Sequence, residues 1–167
     1  MALFKDGRFA PDPWRRLDDF EALPAEGYVL VNVEHWRAVR QHRSNVAFGL
    51  LLAPSEPVEA IAADLPFLRL IAIQFPKFTD GRGYSMAGQL RRRYHFRGEL
   101  RATGDILFDQ LQFLARSGFD AFEISDPTTI RLLEERGNAN TMRHFYQPGD
   151  GPKEPVGTSP WRRRPTS

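Results

Sequence analysis

The chain has 167 residues, is 41% hydrophobic, contains no cysteine and carries a formal net charge of +2. That length suits one domain able to bury a real core. The lack of cysteine excludes disulfides, thiolate redox chemistry and cysteine-ligated iron–sulfur clusters.

The charge is unevenly placed. In residues 148–167, four basic side chains (Lys153, Arg162, Arg163, Arg164) stand against Asp150 and Glu154, which supplies the whole +2 and leaves the body neutral. Lysine occurs only at positions 5, 77 and 153, so nearly all the cations are arginine. A bias in the coding DNA explains that as well as anion recognition by guanidinium forks does. No apolar run approaches the roughly 18 residues a membrane helix needs. Residues 1–20 are charged throughout and have no signal-like apolar stretch. A cytoplasmic protein that makes no membrane contact is expected.

Residues 1–20 read as a short arm or hairpin, with Lys5-Asp6-Gly7 as the turn and Pro11 and Pro13 ending any strand. From there the chain alternates. Residues 28–33 are a strand, 34–43 a short helix, and 46–52 a second strand. Ser55 is placed to cap a helix whose Val58, Ile61, Ala62 and Leu65 share a face. Residues 68–75 are a third strand and 84–94 a helix. Residues 99–102 are a fourth strand, and Asp105 opens a helix that ends at Gly118. Residues 119–124 are a fifth strand. Asp126-Pro127 is an N-cap followed by proline at the first helical position, opening a helix that ends at Gly137. Residues 142–146 read as a last strand or docking segment, and 148–167 as a flexible tail rich in Pro and Gly.

The first three strands are continuously apolar, as strands covered on both faces are. Strand and helix in alternation imply right-handed crossovers and parallel pairing. The expected fold is α/β: an open, mainly parallel sheet of about five strands with alternating helices, half-barrel-like, over residues 21–147.

In such a sheet, ligand chemistry gathers where strands end and helices begin. The stretch Phe75-Pro76-Lys77-Phe78-Thr79-Asp80-Gly81-Arg82-Gly83-Tyr84-Ser85 is the richest such junction. Gly81 and Gly83 can expose backbone N–H groups at a helix start, with Lys77 and Arg82 adding charge, so an oxyanion site is one reading. Asp80 and Asp105 are the candidate acid/base residues. The other reading is structural: Asp80 and Asp105 cap helices, the glycines serve the turn, and the cations pair with acids. His35, His42, His95 and His144 show no metal-ligand spacing, and no nucleotide fingerprint appears, so neither a metal nor a cofactor is expected. Arg91-Arg92-Arg93 reads as a solvated helix face, and with a neutral body no nucleic acid is expected as a partner.

Three segments together resemble a bacterial family described only as a domain of unknown function, number 934. They are 75–85, the run Gly98-Glu99-Leu100-Arg101-Ala102-Thr103-Gly104-Asp105 with Asp109-Gln110, and Gly118-Phe119-Asp120-Ala121-Phe122-Glu123. Members of that family sit beside sulfite and nitrite reductase genes and carry the label of an oxidoreductase in sulfite reduction. The resemblance implies a place in assimilatory sulfite reduction, with the sulfite reductase system as partner, but assigns no catalytic residue. Without cysteine, haem motif or nucleotide fingerprint, the chain has no visible electron carrier. Two readings follow. One is an accessory or interaction protein serving the reductase, with a homodimer as an alternative use of an exposed apolar patch. The other is a small-molecule enzyme or sensor holding sulfite, sulfate, phosphate or a carboxylate at Lys77, Gly81, Arg82 and Gly83.

Overall fold

A computed structural model describes residues 1–19, 21–41, 45–77 and 79–136. The segment at 142–146 and the tail at 148–167 lie outside the described residues. The chain opens with a hairpin, β1 (Ala2–Lys5) and β2 (Arg8–Ala10). Its two-residue turn places Asp6 at φ 52° and Gly7 at φ 76°, the paired positive φ values that make Asp-Gly the favoured hairpin turn. β3 (Trp14–Arg16) and β4 (Glu26–Asn32) follow, then α1 (Val33–Val39) and β5 (Asn45–Leu52). Next come a 3₁₀ helix (Val58–Phe67), β6 (Leu68–Phe75) and α2 (Arg82–Gly88), which runs on into a π-helical turn at Gln89–Arg93. β7 (Glu99–Gly104), α3 (Leu111–Arg116) behind a 3₁₀ turn at Phe108–Gln110, β8 (Ala121–Ile124) and α4 (Pro127–Arg136) complete the order.

The sheet has eight strands in the order β2-β1-β8-β7-β6-β5-β4-β3. The expectation of about five, mainly parallel, strands is therefore corrected to a mixed sheet. β3 to β8 run parallel, whereas the hairpin joins antiparallel through β1 on β8. Two features account for the difference. Leu3 and Phe4 pair with Glu123 and Phe122 across β8, so the first hairpin extends the main sheet. β3 begins directly after Pro13 and pairs Trp14, Arg15 and Arg16 with Tyr28, Val29 and Leu30. The prolines remove donors only from the link before it, not from the ladder.

The sheet is open but strongly curled. β2 and β3 are its two edges, yet only Pro11, Asp12 and Pro13 separate them in sequence. Four Cα steps span at most about 15 Å. Eight strands laid flat would put the edges about 34 Å apart. The sheet must therefore wrap into a half-barrel that the three-residue strap ties across.

The outer face carries the main core. Val29, Val31, Leu50, Leu52, Ile71, Ile73, Phe75, Leu100, Phe122 and Ile124 pack with Trp36, Ile61, Leu90, Leu111 and Leu114 from the helical segments. The inner face is smaller and mixed. Leu30, Leu70 and Ala72 form its apolar part, with Trp14 and Leu51 against them. A Cβ on Gly49 would stand 3.0 Å from both Leu70 Cβ and Trp14 Cζ3, so the absence of a side chain there makes room for the indole.

Several helix starts differ from expectation. Asn32 caps α1, its Oδ1 accepting the His35 N–H at 2.7 Å. Residues 58–67 form a 3₁₀ helix with Pro57 at the N-cap position and no side-chain cap, so Ser55 does not open it. Prolines at 57 and 66 withhold two amide donors there. The helical segment after β7 starts at Phe108, three residues beyond Asp105, and Gln110 Oε1 reaches back to accept the Leu107 N–H at 3.1 Å. The Asp126 cap is as expected, with its Oδ2 accepting the Thr129 N–H at 2.6 Å. The Thr129 hydroxyl first, and then the Thr129 N–H, hold the Asp126 carboxyl below its ordinary value.

Gly104 ends β7 at φ 107°, and a Cβ there would drive into the Phe75 carbonyl oxygen. That carbonyl accepts the Asp105 N–H at 2.8 Å and locks the ends of β6 and β7 together. Gly104→Ala is expected to lower unfolding free energy by at least about 1–3 kcal/mol. Gly81, at φ −77° with open space around it, should change by less than about 1 kcal/mol on the same substitution. Urea denaturation of the two variants measures both.

Candidate functional site

The β6–α2 loop folds on itself. The Asp80 N–H donates to the Lys77 carbonyl at 3.0 Å, and the Arg82 N–H donates to Asp80 Oδ1 at 3.1 Å. Arg82 then turns its guanidinium back onto the same carboxylate, Nε to Oδ1 at 3.0 Å and Nη2 to Oδ2 at 2.7 Å. This is a bidentate, charge-assisted pair. The Arg82 hydrogen bonds hold the Asp80 carboxyl below its ordinary value, and Asp80 raises the guanidinium in turn.

The six candidate residues are thus placed as follows. Asp80 and Arg82 are joined to each other. Gly83 is buried under Phe75, where a Cβ would come within 2.8 Å of the ring's Cε1, so packing alone requires a glycine. Gly81 precedes α2 in open space. Lys77 is exposed. Asp105 is exposed too, tethered through its backbone to the end of β6. A shallow cavity of about 350 Å³ lies between this loop and residues 54–59. Arg82 lines it together with Ser85, Gln89, Ser55 and Glu56, whereas the other five candidates do not.

A second cluster occupies the inside of the curl. Arg101 points inward from β7 and its side chain is only 1% exposed. Its Nη1 and Nη2 donate to Asp12 at 2.7 and 3.1 Å, and its Nε donates to Glu99 at 3.0 Å. Lys5 Nζ donates to the other Glu99 oxygen at 2.7 Å. Glu123 lies 4.0 Å from Arg101 and 3.5 Å from Arg16. Burial pushes the Arg101 guanidinium down, and Asp12 and Glu99 together more than offset that. The Glu99 hydrogen bond, working against burial, leaves the Lys5 ammonium raised.

The Arg16–Glu123 contact also defines the curl. β3 and β8 are five places apart in the sheet, about 24 Å if it were flat. Their side chains meet only because the sheet bends around them.

The inner cluster was not among the sequence candidates, although one signal for it is present. Leu100 and Ala102 alternate with Glu99, Arg101 and Thr103, so strand periodicity puts three polar groups on one face of a central strand. Charged residues so placed require partners. The pattern does not say which acid answers Arg101, because Asp12 lies 89 residues away.

In the π-helical turn after α2, Arg92 and Arg93 are exposed as expected, and the reading of Arg91 is corrected. Arg91 is no solvated side chain. It donates to the carbonyls of Phe96 at 2.6 Å, Gly98 at 2.9 Å and Gly118 at 3.0 Å, and it pairs with Asp120. Asp120 Oδ2 also accepts the Leu100 N–H at 2.8 Å. Arg91 thereby ties the end of α2 to the loops entering β7 and β8. Arg93, in contrast, is exposed and pairs with exposed Glu59.

Among the described residues no helix is long and apolar enough to cross a membrane. Fold and site together define an α/β protein with a curled, open, half-barrel sheet, a loop at one strand end whose Arg82 is paired with its own Asp80, and a buried ion cluster inside. The chain belongs to the family described as bacterial protein of unknown function (DUF934), whose sequence profile matches residues 49–157. No curated protein matches it. The matched stretch contains the β6–α2 loop, Arg91 and Arg101.

Arg91→Ala leaves three carbonyls and a carboxylate without their donor, and the expected destabilisation is about 2–4 kcal/mol. Arg93→Ala removes an exposed pair and should cost less than about 1 kcal/mol. Thermal and urea unfolding of both variants measures the contrast.

Proposed function

We propose that this chain is a cytoplasmic accessory protein of assimilatory sulfite reduction, which binds the sulfite reductase system and supports its assembly or electron supply. The observation that carries the choice is the Asp80–Arg82 pair. The strand-end loop has its most suitable cation matched to its own carboxylate, which favours a structural loop over an oxyanion-processing one. The link to sulfite reduction rests on the resemblance of segments 75–85, 98–105 with Asp109-Gln110, and 118–123 to the family. An aromatic surface suits a partner. Phe113 is 53% exposed and packs at 4.7 Å on Tyr84, with Phe75 behind it, and aromatic residues are enriched where proteins meet.

The alternative, an enzyme or sensor holding an oxyanion at Lys77, Gly81, Arg82 and Gly83, requires Arg82 to leave Asp80. A sulfite-dependent rise in unfolding temperature that Arg82→Ala abolishes would favour it.

The accessory reading is tested by binding of the tagged chain to purified sulfite reductase and by sulfite reduction in a deletion strain. The expected results are retention of the reductase, loss of that retention in Phe113→Asp, and slowed growth on sulfate as sole sulfur source. No retention together with unchanged sulfite reduction would contradict it.

A further inference from the structure

The inside of the curl holds a guanidinium whose most accessible partner lies on a surface strap. Arg101 has two kinds of partner. Glu99 is two residues along the same strand and accepts from Nε. Asp12 takes Nη1 and shares Nη2, which also lies 3.0 Å from Glu99 Oε1, and its two oxygens make the match that arginine makes with a free carboxylate. Asp12 belongs to neither strand. It sits on the three-residue strap between β2 and β3, flanked by prolines with no N–H to donate, and its carboxylate is 33% exposed. One side of the pair is thus sealed in the sheet, and the other is a short surface segment open to water.

The charges around it point the same way. Lys5, Arg16 and Arg101 face Asp12, Glu99 and Glu123, three against three. Withdrawing Asp12 leaves three cations and two carboxylates, an excess of one positive charge suited to a monoanion. The neighbouring positions on this face are small or polar. Ala72 is beside Arg101 on β6, and Thr103 follows on β7 with Gln74 beside it.

We propose that Arg101 is the anchor of a binding site for a small carboxylate, and that Asp12 is its resident occupant. The ligand's two oxygens take the positions of Asp12 Oδ1 and Oδ2, and the strap lifts from the mouth of the curl. The strap still keeps the β2 and β3 edges within about 15 Å of each other, so occupancy changes where the strap lies over the mouth of the curl and leaves the sheet closed. This site is separate from the β6–α2 loop and does not depend on the accessory reading.

The Trp14 N–H reports the event directly, because it donates to Asp12 Oδ1 at 3.1 Å. The test is an NMR titration of the full-length ¹⁵N-labelled chain with sodium acetate, with sodium chloride and sodium sulfate at matched ionic strength as controls. In the wild type, acetate is expected to shift the Trp14 amide and the Arg101 Nε–H resonance saturably. In Asp12→Ala, which removes the competitor, the acetate Kd should fall at least tenfold. Arg101→Lys placed on Asp12→Ala should abolish the response, because an ammonium does not reproduce the fork. The proposal is overturned if acetate leaves both wild-type resonances unmoved, or if chloride moves them equally. It is also overturned if sulfate binds in place of acetate, or if Asp12→Ala binds no more tightly than wild type. Should Asp12→Ala fail to fold, the wild-type titration decides alone.

Discussion

The pair between Asp12 and Arg101 is the constraint on which the shape of this molecule turns. It joins the one segment that bridges the two sheet edges to a side chain at the centre of the sheet. The covalent strap limits how far the edges can part, and the ion pair determines which way the strap lies. A buried guanidinium is costly to desolvate unless its donors are met. Three of the Arg101 donors are met, by Asp12 and Glu99. The pair therefore contributes specificity of arrangement, drawing β3 against the interior, where Trp14 fills the space over Gly49 and Leu70.

Arginine does similar work on the outer side. Arg91 gathers three loop carbonyls and Asp120, and Asp120 reaches on to the start of β7. The helix end, the β7 entry and the β8 entry are thus held by one side chain. Arg82 is spent on Asp80. Three of the chain's 20 arginines, Arg82, Arg91 and Arg101, are matched to such internal partners, so an arginine-rich composition is a poor guide to anion binding here.

What could be read from the sequence was whatever depends on local pattern. The limits of β6 follow from a near-continuous apolar run interrupted by Arg69 and Gln74, and those of β5 differ by one residue. The Asp-Gly hairpin and the Asp126-Pro127 helix start follow from backbone chemistry confined to a few residues. What could not be read depends on partners distant in sequence. β3 is three residues long and is a strand only because β4 lies beside it. The first hairpin carries no local sign that it will pair with β8. The Arg91 and Arg101 side chains look alike in sequence to the exposed Arg93, and their partners alone separate them. The candidate loop was found, but the pairing of Asp80 with Arg82 is a matter of side-chain direction that composition does not record.

Asp12 and Arg101 act as one unit to hold the curl. The most direct measurement is a double-mutant cycle on unfolding free energy with Asp12→Ala, Arg101→Met and the combination. The account predicts a coupling of about 2–3 kcal/mol, with the double variant far less destabilised than the two single variants sum to. A coupling near zero would mean that the strap is held by its covalent link alone, and would contradict the account.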